Sequence, residues 1–208
     1  EGSNKFDAFY DLAFEYITMK DYESALELLH QANTVAEGFG DSLGIVKTVR
    51  VKGQLLRRLD RSNESIPELV RALAIAKRNA FVEEQKSILN VLAVAFTLNA
   101  NYDRALEYHF EALVLREQAG DDQMITETLN NIGLVYFKLR NYEKSLEYYY
   151  SALKHDNKLL KSNLRDRLLI NIGLCHNQLK NFNEARKLFF EGMNACKPNC
   201  DGATFVLG

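Results

Sequence analysis

The sequence predicts an all-α protein built from stacked helix–turn–helix repeats, and three observations support this fold class. The 208 residues include only two prolines and are dominated by polar runs of good helix formers. A pattern of small and large residues returns five times at a fixed spacing of 40 residues. A similar turn signal lies inside four of these five copies. A period of this length is typical of repeat architectures in which each copy buries its apolar face on its neighbours.

The repeat is defined by four positions that keep their size in every copy. The small residues that anchor it are Ala13, Gly53, Ala93, Gly133 and Gly173. Three residues later come the large side chains of Tyr16, Leu56, Phe96, Tyr136 and His176. Twelve residues after the anchor come Ala25, Ser65, Ala105, Ser145 and Ala185. Nineteen residues after it come Ala32, Ala72, Ala112, Ala152 and Gly192. Small residues at these places let two helices approach closely, while the large ones fill the space beside them.

A turn is predicted between the two helices of a copy. The signals are Lys20–Tyr22, Ala100–Tyr102, Arg140–Tyr142 and Lys180–Phe182. Asn141 suits this turn, because asparagine tolerates left-handed backbone and caps the helix that follows.

This pattern of small residues, an Asn/Asp–Tyr/Phe turn and a following alanine resembles the tetratricopeptide repeat. The resemblance implies a right-handed superhelix of five repeats, or about ten antiparallel helices, forming a single solenoid domain over residues 6–205. The copies begin near Phe6, Val46, Lys86, Thr126 and Asp166. The period of 40 exceeds the usual value of about 34, so the extra residues are expected between repeats. Residues 1–5 and 206–208 would be tails or truncated ends, with 203–208 either the start of another repeat or an unstructured tail.

The second copy departs from the pattern at three places. Lys52 stands where an apolar residue is expected, and Ser62 replaces the aromatic residue of the turn. Pro67 falls inside the expected second helix. Because Ser65-Ile66-Pro67-Glu68 is typical of a capping box with proline in the first turn, we expect this helix to start late, near Ile66, or to be kinked.

The helical period places the functional face opposite the core face of each first helix. In the fourth copy the core side carries Leu129, Ile132, Gly133 and Tyr136. The resemblance implies that the opposite side lines a concave groove that holds an extended peptide or a partner helix. The candidate groove residues are Arg50, Gln54, Arg57, Arg58, Asn90, Asn130, Asn131, Lys138, Arg167, Asn171 and Gln178.

Two asparagines of this face, Asn131 and Asn171, occupy equivalent positions one repeat apart. In related proteins an asparagine at this position grips the ligand backbone. The alternatives are a solvated polar face or a contact to the neighbouring repeat. The five-residue carboxylate clamp of chaperone-binding members is not expected, because Asn90 and Val94 stand where lysine and asparagine belong.

Charge is uneven along the chain. Residues 6–45 contain eight acids and one base, a net charge of −7. Residues 46–79 contain nine bases and three acids, a net charge of +6. One interpretation is mutual attraction between adjacent repeats. The other is a site for an anionic ligand around Arg50, Arg57 and Arg58.

Several functional classes are not expected from the sequence. The net charge of −2 does not favour direct binding of nucleic acid, and no apolar run is long enough to span a bilayer. No phosphate loop, nucleophile elbow or metal-ligand spacing is found, so we expect no enzyme activity, cofactor or metal. Cys196 and Cys200 are four residues apart, and a disulfide between them is left open.

We therefore expect a non-catalytic scaffold that binds a protein or peptide. Its expected setting is the sensory or interaction region of a larger bacterial signalling or transcription regulator. The alternatives are a free-standing peptide receptor of the quorum-sensing type and a structural adaptor that uses its convex face. The expected location is the cytoplasm, or the periplasm if the segment belongs to a membrane-anchored regulator. The oligomeric state is left open.

Overall fold

The computed structural model describes residues 2–155 and 162–195, and in these residues it contains ten α-helices and no strand. The first and second helices of the five copies alternate along the chain. They are α1 (Gly2–Thr18), α2 (Tyr22–Phe39), α3 (Ser42–Arg58), α4 (Ser62–Arg78), α5 (Val82–Leu98), α6 (Tyr102–Ala119), α7 (Asp122–Lys138), α8 (Tyr142–His155), α9 (Ser162–Gln178) and α10 (Phe182–Ala195). The predicted all-helical fold with two helices per copy is confirmed.

The turn inside each copy contains one left-handed residue, and in the first and fourth copies a side-chain cap follows it. Arg140 has a φ of 58°, and the equivalent Lys20, Asp60, Ala100 and Lys180 have similar values. The side chain of Asn141 then accepts a hydrogen bond from the amide of Lys144 at 3.1 Å. The predicted cap is confirmed, but the left-handed residue is Arg140 and not Asn141. The cap requires Asn141 to lie just before the helix, which leaves the reversal of the chain to the residue before it.

The described part of the chain divides into two compact units, the first ending at Asn101 and the second beginning at Tyr102. In the first unit, Ala13, Ala25, Leu29, Val51 and Leu55 form a buried cluster that ties the first two copies together. The small anchor residues are needed for this close packing. A Cβ added at Gly53 would lie 2.9 Å from Cδ1 of Leu69, which is closer than side chains tolerate.

The second unit repeats this packing with aromatic partners. A Cβ at Gly133 would lie 2.6 Å from the ring of Tyr149, which is buried. A Cβ at Gly173 would lie 2.7 Å from the ring of Phe189. Ser145, another of the predicted small positions, donates its hydroxyl to the carbonyl oxygen of Gly133 at 2.8 Å. The close approach predicted for the small residues is therefore observed in both units.

The late start predicted for the second helix of the second copy is wrong, and the alternative, a kink in this helix, stays a prediction. Helix α4 begins at Ser62 and includes Pro67. The left-handed turn at Asp60 is the same as in the other copies, so it starts the helix at the usual place. Proline lacks the amide that would bond to the carbonyl of Asn63. Because Asn63 is exposed, that carbonyl can be hydrated instead.

Three sequence predictions concern parts of the chain that the structure does not describe or test. Cys196 and Cys200 lie outside the described residues, and so does the segment 203–208. The assignment of residues 6–205 to a single solenoid domain stays a prediction.

Candidate functional site

In the first unit, Arg50 of α3 is engaged by a neighbouring copy. Its Nε donates to Oε2 of Glu84 in α5 at 2.8 Å, and the two side chains are only 21% and 16% exposed. Tyr10 of α1 lies close to the same pair. Burial raises the pKa of Tyr10, while the nearby Arg50 guanidinium lowers it and Glu84 raises it. Arg50 thus joins the second copy to the third through an ion pair, so it is already engaged and is not a free member of an anion site.

The other candidates of α3 and α5 are more accessible. Arg57 and Arg58 are exposed at the end of α3, whereas Gln54 and Asn90 are half-buried. Arg58 donates from Nη1 to the hydroxyl of Tyr22 at 3.3 Å, and its guanidinium lies 5.6 Å from the centre of that ring. An anionic-ligand site at these arginines stays a hypothesis, with Arg57 and Arg58 as its accessible members.

In the second unit, three asparagines form a chain across α7 and α9. Asn171 donates from Nδ2 to Oδ1 of Asn130 at 2.9 Å. Asn130 donates from its own Nδ2 to Oδ1 of Asn131 at 3.4 Å. Asn130 is only 4% exposed, so its predicted place in an accessible groove is corrected. It bridges two copies in the interior, because its neighbour Asn171 supplies the hydrogen bond that makes this burial acceptable.

The remaining candidates of the second unit lie at the ends of the same helices. Lys138 is half-buried, and Arg167 and Gln178 are exposed. The hydroxyl of Tyr142 donates to Oε1 of Gln178 at 3.5 Å. This contact repeats the pairing of Tyr22 with Arg58 in the first unit, because both tyrosines are the turn aromatic of their copy.

Sequence reasoning missed these turn tyrosines as part of the candidate face. Tyr22 and Tyr142 were assigned to the turn signal, yet each one places its hydroxyl against a candidate residue of the next copy. The signal was present in the spacing: in both contacts the tyrosine of one copy and the candidate residue of the next are 36 residues apart. In the second copy this position is Ser62, and Leu98, the residue 36 positions later, is left exposed.

Comparison with known proteins identifies the family. A family model of the tetratricopeptide repeat matches residues 84–158 and 124–197, which together cover more than half of the chain. The chain belongs to the tetratricopeptide repeat family. No curated protein sequence matches it significantly.

Solved structures of tetratricopeptide repeat proteins share the fold at low sequence identity. A putative kinesin light chain repeat protein from Podosopora anserina has a TM-score of 0.80 at 14% identity, with 94% of this chain and 96% of that chain covered. A STAND protein with a tetratricopeptide repeat sensor, PH0952 from Pyrococcus horikoshii, has a TM-score of 0.83 at 18% identity. The match covers 96% of this chain and 31% of that one.

NprR, solved in complex with its cognate peptide NprX, gives a TM-score of 0.68 at 20% identity. This match covers 95% of this chain and 57% of NprR. At these identities the likeness establishes the fold. The tetratricopeptide repeat is typically a non-catalytic scaffold for protein binding, and the chain has that architecture.

Within 2–155 and 162–195, no group of three or more His, Cys, Asp or Glu side chains could hold a metal ion. In the same ranges, none of the helices has the length and apolar character that crossing a membrane requires.

Proposed function

We propose that this tetratricopeptide repeat protein binds an extended peptide segment of a partner along the exposed sides of α7 and α9. In this proposal Asn131 and Asn171 hydrogen-bond the peptide backbone. Lys138, Arg167 and Gln178 would then contact the peptide's side chains or its carboxylate.

The asparagine chain carries this proposal. Asn130 uses Oδ1 of Asn131 and Nδ2 of Asn171. Among the contacts of the described residues, Nδ2 of Asn131 and Oδ1 of Asn171 make no hydrogen bond. The first can therefore donate to a ligand, and the second can accept from one. An extended peptide presents backbone N–H and C=O groups in alternation, so it can satisfy one of each. The buried Asn130 fixes both amides before a ligand arrives, which lowers the ordering cost of binding.

The experiment is a selection of linear twelve-residue peptides from a displayed random library, followed by calorimetric titration of the best binder. Asn131→Asp keeps the acceptor that Asn130 requires but removes the donor, so we expect at least tenfold weaker binding. The exposed Asn63→Ala and Asn183→Ala together are the matched control and should leave the affinity unchanged. Failure to select any peptide, or equal affinity for the Asn131→Asp variant, would contradict the proposal.

The wider setting that we propose is the sensory or interaction region of a larger bacterial regulator. The lengths of PH0952 and NprR support this, because the chain matches only part of each protein. The second candidate is a free-standing peptide receptor, for which the peptide-bound NprR is the supporting likeness. Sequencing the coding DNA on both sides separates them. An adjoining kinase or helix-turn-helix region supports the regulator, and stop and start codons close to the segment support the free-standing receptor.

A further inference from the structure

A groove between α2 and α4, the second helices of the first two copies, contains two adjacent cavities of about 280 and 310 Å³. Lys52 of α3 and Glu68 of α4 line both cavities. The groove therefore lies within the first unit and does not involve the asparagines of α7 and α9.

Three polar residues line this groove at positions where the other copies have apolar residues. Lys52 stands where the other copies have Leu12, Leu92, Ile132 and Ile172. Glu68 stands where they have Leu28, Tyr108, Tyr148 and Leu188. Asn33 stands where they have Leu73, Leu113, Leu153 and Met193. At each of these three positions the four other copies have apolar or aromatic residues. The polar replacements are therefore confined to this groove.

Packing stability does not account for the replacement. Nζ of Lys52 lies 2.9 Å from both carboxylate oxygens of Glu68, and the two side chains are 26% and 32% exposed. A partly buried ion pair gives little or no net stability over apolar residues of similar size. Oδ1 of Asn33 is buried and, within the described part of the chain, accepts no hydrogen bond. An unpaired buried acceptor is costly, so Asn33 too is not explained by the stability of the packing.

The charge of the lining indicates the ligand. Its five carboxylates are those of Glu23, Glu27, Glu37, Glu64 and Glu68. Its three cations are those of Lys52, Arg61 and Arg71, which gives a net charge of −2 with His30 neutral. The floor is apolar and includes Leu29 and Val49. Such a surface is complementary to apolar residues interspersed with lysine or arginine.

The length of the groove indicates a polypeptide segment. Its lining on α2 runs from Glu23 to Glu37, which is about 20 Å of helix. An extended strand of six residues has about this length. We propose that the groove between α2 and α4 is a second docking site, and that it binds a short basic segment of a partner protein.

The test is an array of random hexapeptides, probed with the fluorescently labelled protein. We expect the bound peptides to be enriched in lysine and arginine. Lys52→Leu with Glu68→Leu restores the residues of the other copies, and we expect it to weaken the best basic peptide at least tenfold in fluorescence anisotropy. Glu27→Lys lies on the exposed rim, where folding is not at risk, and it should weaken the same peptide several-fold.

Asn131→Asp is the control, and it should leave binding of the basic hexapeptide unchanged. This control separates the two proposals. If Asn131→Asp loses affinity for the twelve-residue peptide and keeps its affinity for the basic hexapeptide, then only the site on α7 and α9 has been affected. The docking site is refuted if basic peptides are not enriched, or if they bind equally well to the doubly leucine-substituted protein. Unaltered helical circular dichroism of each variant verifies that it is folded.

Discussion

His109 of α6 lies at a position that is apolar or aromatic in the other copies, namely Leu29, Leu69, Tyr149 and Phe189. It is buried, and its Nδ1 has no hydrogen-bond partner among the described residues. Burial, together with the smaller effect of the nearby Arg116 guanidinium, lowers the pKa of His109 to about 3. Arg116 is itself buried, where it donates to the carbonyl of Met124 and contacts the hydroxyl of Thr128. The folded protein therefore keeps His109 neutral.

This residue should make stability depend on pH. An unfolded histidine has a pKa near 6.5, so below that pH the unfolded state binds a proton that the folded state does not. The stability that comes from a neutral, buried His109 is fully present above pH 6.5 and is lost as the pH falls towards about 3. Between pH 7 and pH 5 we expect it to lower the free energy of unfolding by about 2 kcal/mol. His109→Leu should remove that part of the pH dependence, measured by urea unfolding at both pH values. An identical pH dependence in the variant would show that His109 is protonated in the folded state.

Gly133 offers a second test at the level of one residue. Gly133→Ala would place a Cβ against the buried ring of Tyr149, and overpacking of this kind costs about 1–3 kcal/mol. Gly38→Ala is the matched control, because it is also helical but has no atom within 4 Å of the added Cβ. The control should gain up to about 1 kcal/mol from helix propensity. Thermal unfolding of the two variants should therefore shift in opposite directions, and a stabilised Gly133→Ala would mean that Tyr149 moves aside freely.

At the scale of the helices, the sequence determined where the elements lie because the relevant signals are local. The turn residues are each read within a few neighbouring positions, and their return in copies spaced by 40 residues placed the ten helices. The start of α4 was predicted wrongly because Ser65–Glu68 has the local pattern of a helix start. The helix begins earlier, at Ser62, after the left-handed turn at Asp60 that all copies share. Asn130 and Arg50 were misplaced for a different reason. Their partners, Asn171 and Glu84, come from another copy, and helical periodicity describes only one helix at a time.

The position of Pro67 inside α4 predicts a stabilising substitution. Pro67→Ala would restore the amide that can bond to the carbonyl of Asn63, and it would remove the steric conflict of proline in a helix. Because Pro67 is exposed, no core contact is lost. We expect the free energy of unfolding to rise, by up to about 3 kcal/mol, in urea titrations followed by circular dichroism. A lower urea midpoint would instead indicate that proline stabilises α4 by restricting the unfolded chain.

At the scale of the whole molecule, the uneven charge of the first two copies is matched by contacts between them. Nη1 of Arg61 lies 3.0 Å from Oε1 of Glu23, and Arg58 lies over Tyr22. The Arg61–Glu23 pair is exposed, so by itself it contributes little to stability. The summed attraction between a segment of net −7 and one of net +6 acts over longer distances. Salt weakens such attraction, because the screening length falls from about 10 Å at 0.1 M to about 3 Å at 1 M.

Raising sodium chloride from about 0.05 M to about 0.5 M should therefore lower the urea midpoint of unfolding. Glu23→Gln with Glu27→Gln removes two of the eight acids of residues 6–45, so in that variant the decrease should be smaller. If the midpoint rises with salt, or if both proteins lose the same amount, the opposite charges do not hold these copies together. In that case the apolar cluster around Leu29 and Val51 would account for their association. The charges would then remain available to partners, and the exposed Arg57 and Arg58 would be the first residues to test with an anionic peptide.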